Sequence, residues 1–570
     1  MTISRSIVVN VVAISCAASF LIADKIGAQC PAMERAPLPL QYAGAPTTPA
    51  ISACDLMTRL YRFANDSMGG RRVGTVDHEH ATAFIAAEAK RLGLKPGGEG
   101  GTFFQGLPLV ARALDVASTI TVDGAVLKAG DDFLATTTAA HTGDFKDVKI
   151  VYGGTLLDTT SKLFTVPASG MIVIFRPAVQ GLDQSAIQRT AKGRDWVTWY
   201  NSIRNRGTAN AAQITPQALR AATNPTTSVL LIDQGAPITL TLTSTAAQKL
   251  FGGAMDGMAA GTSSKAAVVN LKFVDTPKVS RNVIAILPGS DVKLRGEYVA
   301  LGAHSDHIGM ARAPADHDSV RASHLGSRAG AEGAASRKQT TEDEEYDRIR
   351  FLNDSLHKVH PSRADSVNNG ADDGGSGTVA LLEIAEAFAK GTVKPKRSVL
   401  FVWHTGTEGT PALSGSTWLL DHPLVPRDSI VAEFDVDMIG RGEKTDEVGI
   451  TLDEIPRYGN PDFVEVVGAR RQSTEFGSLI ELANTRAKSA LKLDYATDST
   501  AHPENLYCRN DASGYARFGI PAVFFTTGYH ADYRQVTDEP QYVQYQHMAR
   551  IVQLISASTL QVANLDHRLR

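Results

Sequence analysis

Four short strings in the second half of this 570-residue chain carry side chains that bind metal ions. His304-Ser305-Asp306-His307 directly follows the apolar run Tyr298–Ala303. Gly370-Ala371-Asp372-Asp373-Gly374-Gly375-Ser376-Gly377 directly precedes a helical pattern, and His404-Thr405-Gly406-Thr407-Glu408 follows the apolar run Ser398–Trp403. The fourth string, Asp435-Val436-Asp437-Met438-Ile439-Gly440-Arg441, ends the run Ile430–Phe434. Imidazole nitrogen and carboxylate oxygen together suit zinc, which takes both donors at low coordination number. A carboxylate bridging two such ions would build a cluster that lowers the pKa of a bound water. Each string alone is weak: a histidine at a strand end is usually exposed or internally satisfied, and Asp-Asp-Gly-Gly is usually a turn. Their weight comes from a shared setting, each at the end of an apolar strand or the start of a helix.

The elements that must position these strings alternate along the chain. Strands are predicted at Val283–Leu287, Tyr298–Ala303, Ser398–Trp403, Ile430–Phe434 and Ala522–Phe525, and a helix over Ser376–Lys390 with Val379, Leu382, Ile384, Ala385 and Phe388 on its apolar side. Such alternation predicts an α/β fold, a doubly wound, mainly parallel mixed sheet whose functional groups gather at the carboxyl ends of the strands. Two helices precede it, one through Leu56, Leu60 and Phe63, the other through Ala81, Phe84, Ile85, Ala87 and Leu92. Lys95-Pro96-Gly97-Gly98 stops the second. Between residues 123 and 277 the texture changes to short β-like runs (Val148–Tyr152, Met171–Phe175, Val229–Ile232, Ile238–Leu242) with one polar, partly helical stretch among them. This predicts a mostly β insert within an α/β domain made of residues 51–122 and 278–570. Residues 311–367 read as a long polar loop, a solvated excursion from that domain.

Composition excludes some functions. Lysine plus arginine (57) nearly balances aspartate plus glutamate (60), so no basic excess points to nucleic acid. Residues 1–28 read as an export signal: Arg5 precedes an apolar stretch from Ile7 to Ile22, and Ala28 offers a cleavage point before Gln29. The mature chain is expected to be periplasmic or secreted, without a membrane span, and to begin with an extended leader over residues 29–50. Cys16 would leave with the signal. Cys30 and Cys54 could pair in an oxidising compartment, which spacing cannot decide, and no cysteine has zinc-thiolate spacing.

Together with Arg91-Leu92-Gly93-Leu94-Lys95-Pro96, Phe103-Phe104-Gln105-Gly106-Leu107-Pro108-Leu109 and Phe518-Gly519-Ile520-Pro521-Ala522-Val523-Phe524-Phe525, the four strings resemble the zinc-dependent exopeptidase family of bacterial cocatalytic aminopeptidases, in peptidase clan MH. The insert is similar to a protease-associated domain. The resemblance implies an aminopeptidase-like α/β/α sandwich, a peptide or protein substrate, and roles for individual residues. His304 would bind the first zinc with Asp306 orienting its ring, Asp373 would bridge, Asp437 would complete the first site, and Glu408 would bind the second ion.

Two positions depart from the family's pattern. Thr407 stands where the family has its general-base glutamate, and Arg534, in Asp532-Tyr533-Arg534, stands where it has a final histidine ligand. His530 is the one nearby candidate to replace that ligand. The changes make joint sense if one zinc, rather than two, sits at His304, Asp373 and Asp437. The Arg534 guanidinium would then grip the remaining carboxylates in a bidentate fork. A positioned base typically adds ~10²–10⁴ in rate, so slow hydrolysis is implied. The alternative is a non-catalytic relative, a pseudoenzyme that binds peptides or proteins. Glutaminyl-cyclase-like acyl transfer ranks last, because it uses the same missing glutamate and histidine. Amino- versus carboxypeptidase action stays open.

Overall fold

The apolar runs after Asn282 form strands because their β-branched and aromatic residues are buried on both faces of one sheet. The computed structural model describes Cys30 and residues 38–136, 143–155, 171–176, 210–214, 227–230, 239–254, 257–326, 342–358, 362–408, 414–444, 446–450, 456–487 and 491–569. The signal read at residues 1–28 lies outside them. The chain divides into two units, Met1–Leu107 with Val279–Arg570, and Pro108–Lys278.

The first unit is built on a nine-stranded mixed sheet. Its strands are β1 (Lys95–Pro96), β2 (Phe104–Gly106), β3 (Arg281–Leu287), β4 (Tyr298–His304), β5 (Ser398–His404), β6 (Ile430–Val436), β7 (Phe463–Val467), β8 (Lys492–Asp494) and β9 (Ala522–Thr526). They lie in the order β1–β3–β5–β4–β6–β9–β7–β8, with β2 also paired to β3. β5, β4, β6 and β9 form a parallel block, flanked by antiparallel β3 and β7. Side chains alternate between two cores, as strand geometry requires. β5 sends Val399, Phe401 and Trp403 into one core and Leu400 and Val402 into the other.

Helices α1 (Ala53–Phe63), α2 (Val76–Leu92), α3 (His317–Gly326), α4 (Glu342–His357), α5 (Gly377–Lys390), α6 (Ala512–Ala516) and α7 (Tyr545–Ala563) complete the parts that matter for the site. α1, α2, α5 and α7 share the first core, and α6 contributes to the second. α1 starts where the Ser52 side chain accepts the Asp55 N–H, and α2 ends where Gly93 turns left-handed at φ 84°. Fully buried Phe401, Trp403 and Phe434 each contribute roughly 1.5–3 kcal/mol of apolar burial. Such packing fixes the strand ends that carry the polar strings. Cys30 and Cys54 are disulfide-bonded, and leader residues 38–50 are tied down by Thr47 to Glu386 (2.6 Å) and Thr48 to Asp55 (2.9 Å).

The second unit begins at Pro108, earlier than the expected 123, because Leu109–Leu114 pairs with Thr227–Leu230 and Phe273–Pro277 and Thr119–Val122 pairs with Ser263–Leu271. Its eight-stranded sheet packs Ile120, Phe133, Leu240, Leu242 and Val269 around the helix Ser244–Phe251. Of the polar, partly helical stretch expected here, the described part is the strand Asn210–Ile214. Both units give an α/β architecture with a mostly β insert.

Residues 311–367 correct a second expectation. Their described residues do not form a loop: Met310–Asp316 pairs with Ala364–Val367, and α3 packs on α4 between them. α4 is polar because none of residues 346–357 is buried, and even Tyr346 and Phe351 are exposed, so its composition resembles that of a loop. Among the described residues, no helix is long and apolar enough to cross a membrane.

Candidate metal centre

His304 ends β4, so the sheet itself carries its ring to the carboxyl edge. The His304 Nδ1 faces the backbone oxygen of Asp306 at 3.0 Å, which calls for the proton on Nδ1 and leaves Nε2 free to ligate. Nε2 lies 3.2 Å from both Asp373 Oδ1 and Asp437 Oδ1. The expected role of the Asp306 carboxylate is therefore shared. It stands farther off, 3.8 Å from Nδ1, and its Oδ2 accepts the Glu408 N–H at 3.3 Å. Asp306 thus ties the end of β4 to the turn after β5.

Asp373 sits in the tight turn Ala371–Ser376 before α5. Asp538 holds that turn, accepting the N–H of Asp372 and of Asp373, each at 3.0 Å. Arg71, fully buried, donates to the carbonyls of Asn369 (2.5 Å), Gly370 (2.9 Å) and Ser305 (3.2 Å), so it locks the same turn to the end of β4. Gly374 is obligatory here. Its φ of 76° disfavours any side chain, and a Cβ would stand 2.6 Å from His304 Cε1. Asp437 lies just beyond β6, and its Oδ1 accepts the Gly374 N–H at 2.9 Å. His304, Asp373 and Asp437, from three separate elements, are thereby drawn to one point.

Glu408 closes the cluster: ligand atoms of His304, Asp373 and Glu408 all lie within 4.8 Å of one another. Arg534 points inward and donates to Glu408 from Nε and Nη2, each at 2.8 Å. Both nitrogens lie 2.8 Å from the same oxygen, Oε2. Arg534 is held in the left-handed region at φ 57°, an uncommon conformation for a residue with a side chain. Thr407 donates its hydroxyl to Asp511 Oδ2 at 2.8 Å. His530 does not join the cluster. It is fully buried with Nε2 3.2 Å from Asp372 Oδ2, behind the turn, which removes it as a substitute ligand.

The donor set suits a cation. His304 Nε2 and both Asp373 oxygens are buried and make no hydrogen bond among the described residues, although they face one another. Buried polar atoms in this condition are costly unless an ion or proton satisfies them. Burial works against a charged His304, yet Asp437, Asp306 and Asp373 outweigh it and raise the imidazole well above its ordinary range. Burial, then Asp373, raises the Glu408 carboxyl well above the usual value, with Arg534 opposing. Asp373 is held low despite burial by His307, His304 and Arg534. A field that holds a proton this firmly would hold a metal ion in its place.

Sequence reasoning missed Arg71, His307, Asp511 and Asp538. His307, the last residue of its own string, lies with Nδ1 3.5 Å from Asp373 Oδ2, and burial pushes its imidazole down to about 4. Its place in the string was a signal. The other three carry none, being lone charged residues that topology alone brings in. A cavity of about 240 Å³ is lined by His304, Glu408 and Asp437 and by Met438, Phe524 and Tyr529, which share one apolar cluster.

The description of Peptidase family M28 matches residues 282–559, the stretch that carries every residue of this cluster except Arg71. Among solved structures, the chain is similar to an aminopeptidase from Aneurinibacillus sp. strain AM-1, with 14% identity and a TM-score of 0.44 over 91% of this chain and 96% of that one. It is also similar to a zinc aminopeptidase from Bacillus subtilis, with 14% identity and a TM-score of 0.45 over 90% and 96%. A third is a Peptidase M28 precursor from Shewanella amazonensis, with 13% identity and a TM-score of 0.43 over 91% and 96%. A search of the curated proteins returns no match.

Proposed function

We propose, from the match of residues 282–559 to the model of peptidase family M28, that the chain is an exported peptide-bond hydrolase of aminopeptidase type with a single zinc ion. His304, Asp373 and Asp437 would hold the ion. Zinc bound there would polarise a scissile carbonyl and acidify a water. The observation that carries the reading is the ion pair between Arg534 and Glu408, beside an otherwise complete ligand set. A guanidinium supplies a fixed positive charge where a second ion would otherwise balance Asp373 and Glu408.

The protein's own groups have separable tasks. The Asp306 backbone oxygen fixes the His304 tautomer, Asp538 and Arg71 fix the Asp373 turn, and Gly374 lets the His304 ring approach. The apolar cluster of Met438, Phe524 and Tyr529 supplies a surface for a substrate side chain. The disulfide between Cys30 and Cys54 supports export, since such bonds persist in oxidising compartments.

The occupied Glu408 also favours a second reading, a peptide-binding protein without catalysis. One experiment separates them: the mature chain is loaded with excess zinc, desalted, analysed for metal, and assayed on a panel of amino-acid p-nitroanilides. One ion per chain with measurable release of nitroaniline is the expected result. Two ions per chain would refute the role given to Arg534. One ion with no hydrolysis of any probe or peptide would leave the binding reading.

A further inference from the structure

The centre lacks a glutamate before Glu408, but it does not lack a carboxylate at that place. Thr407 carries no carboxylate, and its hydroxyl donates to Asp511 Oδ2 at 2.8 Å. Asp511 comes from the turn that opens α6, more than a hundred residues further along the chain. Asp511 lines the same cavity as His304, Glu408 and Asp437. The residue is 3% exposed, and its second oxygen, Oδ1, has no hydrogen-bond partner among the described residues.

Its position is anchored from two sides. The Asp511 N–H donates to Asp435 Oδ2 at 3.1 Å, and the Ala512 N–H adds a bond at 3.3 Å. Asp435 lies near the end of β6, two residues before Asp437, which follows the strand's last residue. Asp511 is thus tied through its backbone N–H to β6 and through its carboxylate to the residue next to Glu408. A buried carboxylate with one oxygen engaged and the other without a partner among the described residues, in a residue that lines the cavity, has the form of a proton acceptor.

We propose that Asp511 is the general base of this centre, relocated from position 407 to α6, and that Thr407 is its positioning residue. This rests on the peptidase reading above. Asp511 Oδ1 takes a proton from water while the water oxygen bonds to the peptide carbonyl carbon. As the C–N bond breaks, the same proton passes to the leaving nitrogen, giving an amine and a carboxylic acid and returning Asp511 as carboxylate. No oxidant or reductant is needed.

The test uses the full mature chain loaded with zinc and a panel of amino-acid p-nitroanilides. Asp511→Asn is expected to lower kcat about 10²-fold or more, the usual worth of a base, with KM and zinc content unchanged. Adding Thr407→Glu to Asp511→Asn is expected to restore at least tenfold, since a carboxylate returns from the other side. Should the asparagine variant fail to fold, Thr407→Val removes only the hydroxyl and is expected to lower kcat several-fold with zinc retained. An Asp511→Asn variant that keeps its kcat, or that loses activity through raised KM or lost zinc, would overturn the assignment while the peptidase reading stands. An inactive wild type made active by Thr407→Glu would do the same. If neither chain hydrolyses any probe while holding zinc, the peptidase reading falls first and this assignment with it.

Discussion

Replacing Arg534 by histidine at pH 8 tests the centre most directly, because it removes a charge and adds a ligand at once. Glu408 is 7% exposed and Arg534 35%, so the pair lies between a surface bridge and a buried one. Breaking a buried pair costs about 3–5 kcal/mol and an exposed one about 0–1, which puts this loss near 2 kcal/mol. The first unit has roughly 400 residues, and unfolding entropy is ~2.1 cal/mol/K per residue. The melting temperature of the metal-free variant should therefore drop by only about 2 °C. Zinc reverses the sign. A second ion at a hundred times its dissociation constant adds about 2.7 kcal/mol, more than the pair supplied. Calorimetry with and without zinc, combined with elemental analysis, reads both effects. The expected result is a metal content rising from one to two per chain and a larger zinc-induced stabilisation than in the wild type. Unchanged metal content with an unchanged melting temperature would refute the idea that Arg534 does the work of a cation.

Other outcomes follow from the same geometry. Asp306→Asn weakens the tie between β4 and the Glu408 turn and should lower zinc affinity about 10–100-fold, measured by competition with a chelating dye; unchanged affinity would count against that tie. His78 is buried, with Nε2 2.9 Å from Thr405 Oγ1, and burial lowers its pKa from 6.5 to about 4. Because the folded value is depressed, its contribution is present above pH 6.5 and is lost as pH falls through about 4; the gap corresponds to about 3 kcal/mol. His78→Gln should flatten the stability profile across that window, and an unaltered slope would show that His78 does not titrate there. Arg59, 2% exposed, donates to Glu383 at 2.9 Å and Glu88 at 3.1 Å and also contacts Glu386. Arg59→Met should cost about 3–5 kcal/mol, read by urea unfolding, whereas a loss under 1 kcal/mol would mean the carboxylates find protons instead.

Much of this was legible in the sequence, for identifiable reasons. The strands β4, β5 and β6 announced themselves because burial on both faces leaves unbroken apolar runs, and the metal-binding strings announced themselves because they sit where those runs stop. Arg534 was found by comparison with a pattern, and the structure turns it inward toward Glu408. The helix α4 was missed because its exposed surface has a loop's composition. The insert's first strands were missed because Leu109–Leu114 pairs with partners more than a hundred residues away. Asp511 and Asp538 were missed for the same reason in sharper form: a single carboxylate has no periodicity, and only tertiary structure brings it to Thr407 or to the Asp373 turn. His530 was misjudged because sequence proximity to Arg534 says nothing about which side of a turn a ring faces.

The hold of Asp538 on the Asp373 turn joins residues 165 positions apart. A chain is made from its amino end, so His304 and Asp373 leave the ribosome well before the carboxylate that shapes their turn. Long-range closures of this kind come late and slowly in folding. During synthesis and any transit across a membrane, the ligands would thus exist as isolated side chains on an unfinished sheet, with no pocket fit to select an ion. The centre acquires its shape only when β9 and the segment beyond it have been laid down. Metal selection is therefore deferred to the compartment in which folding finishes, and the ions available there, rather than those at the ribosome, decide what the site contains.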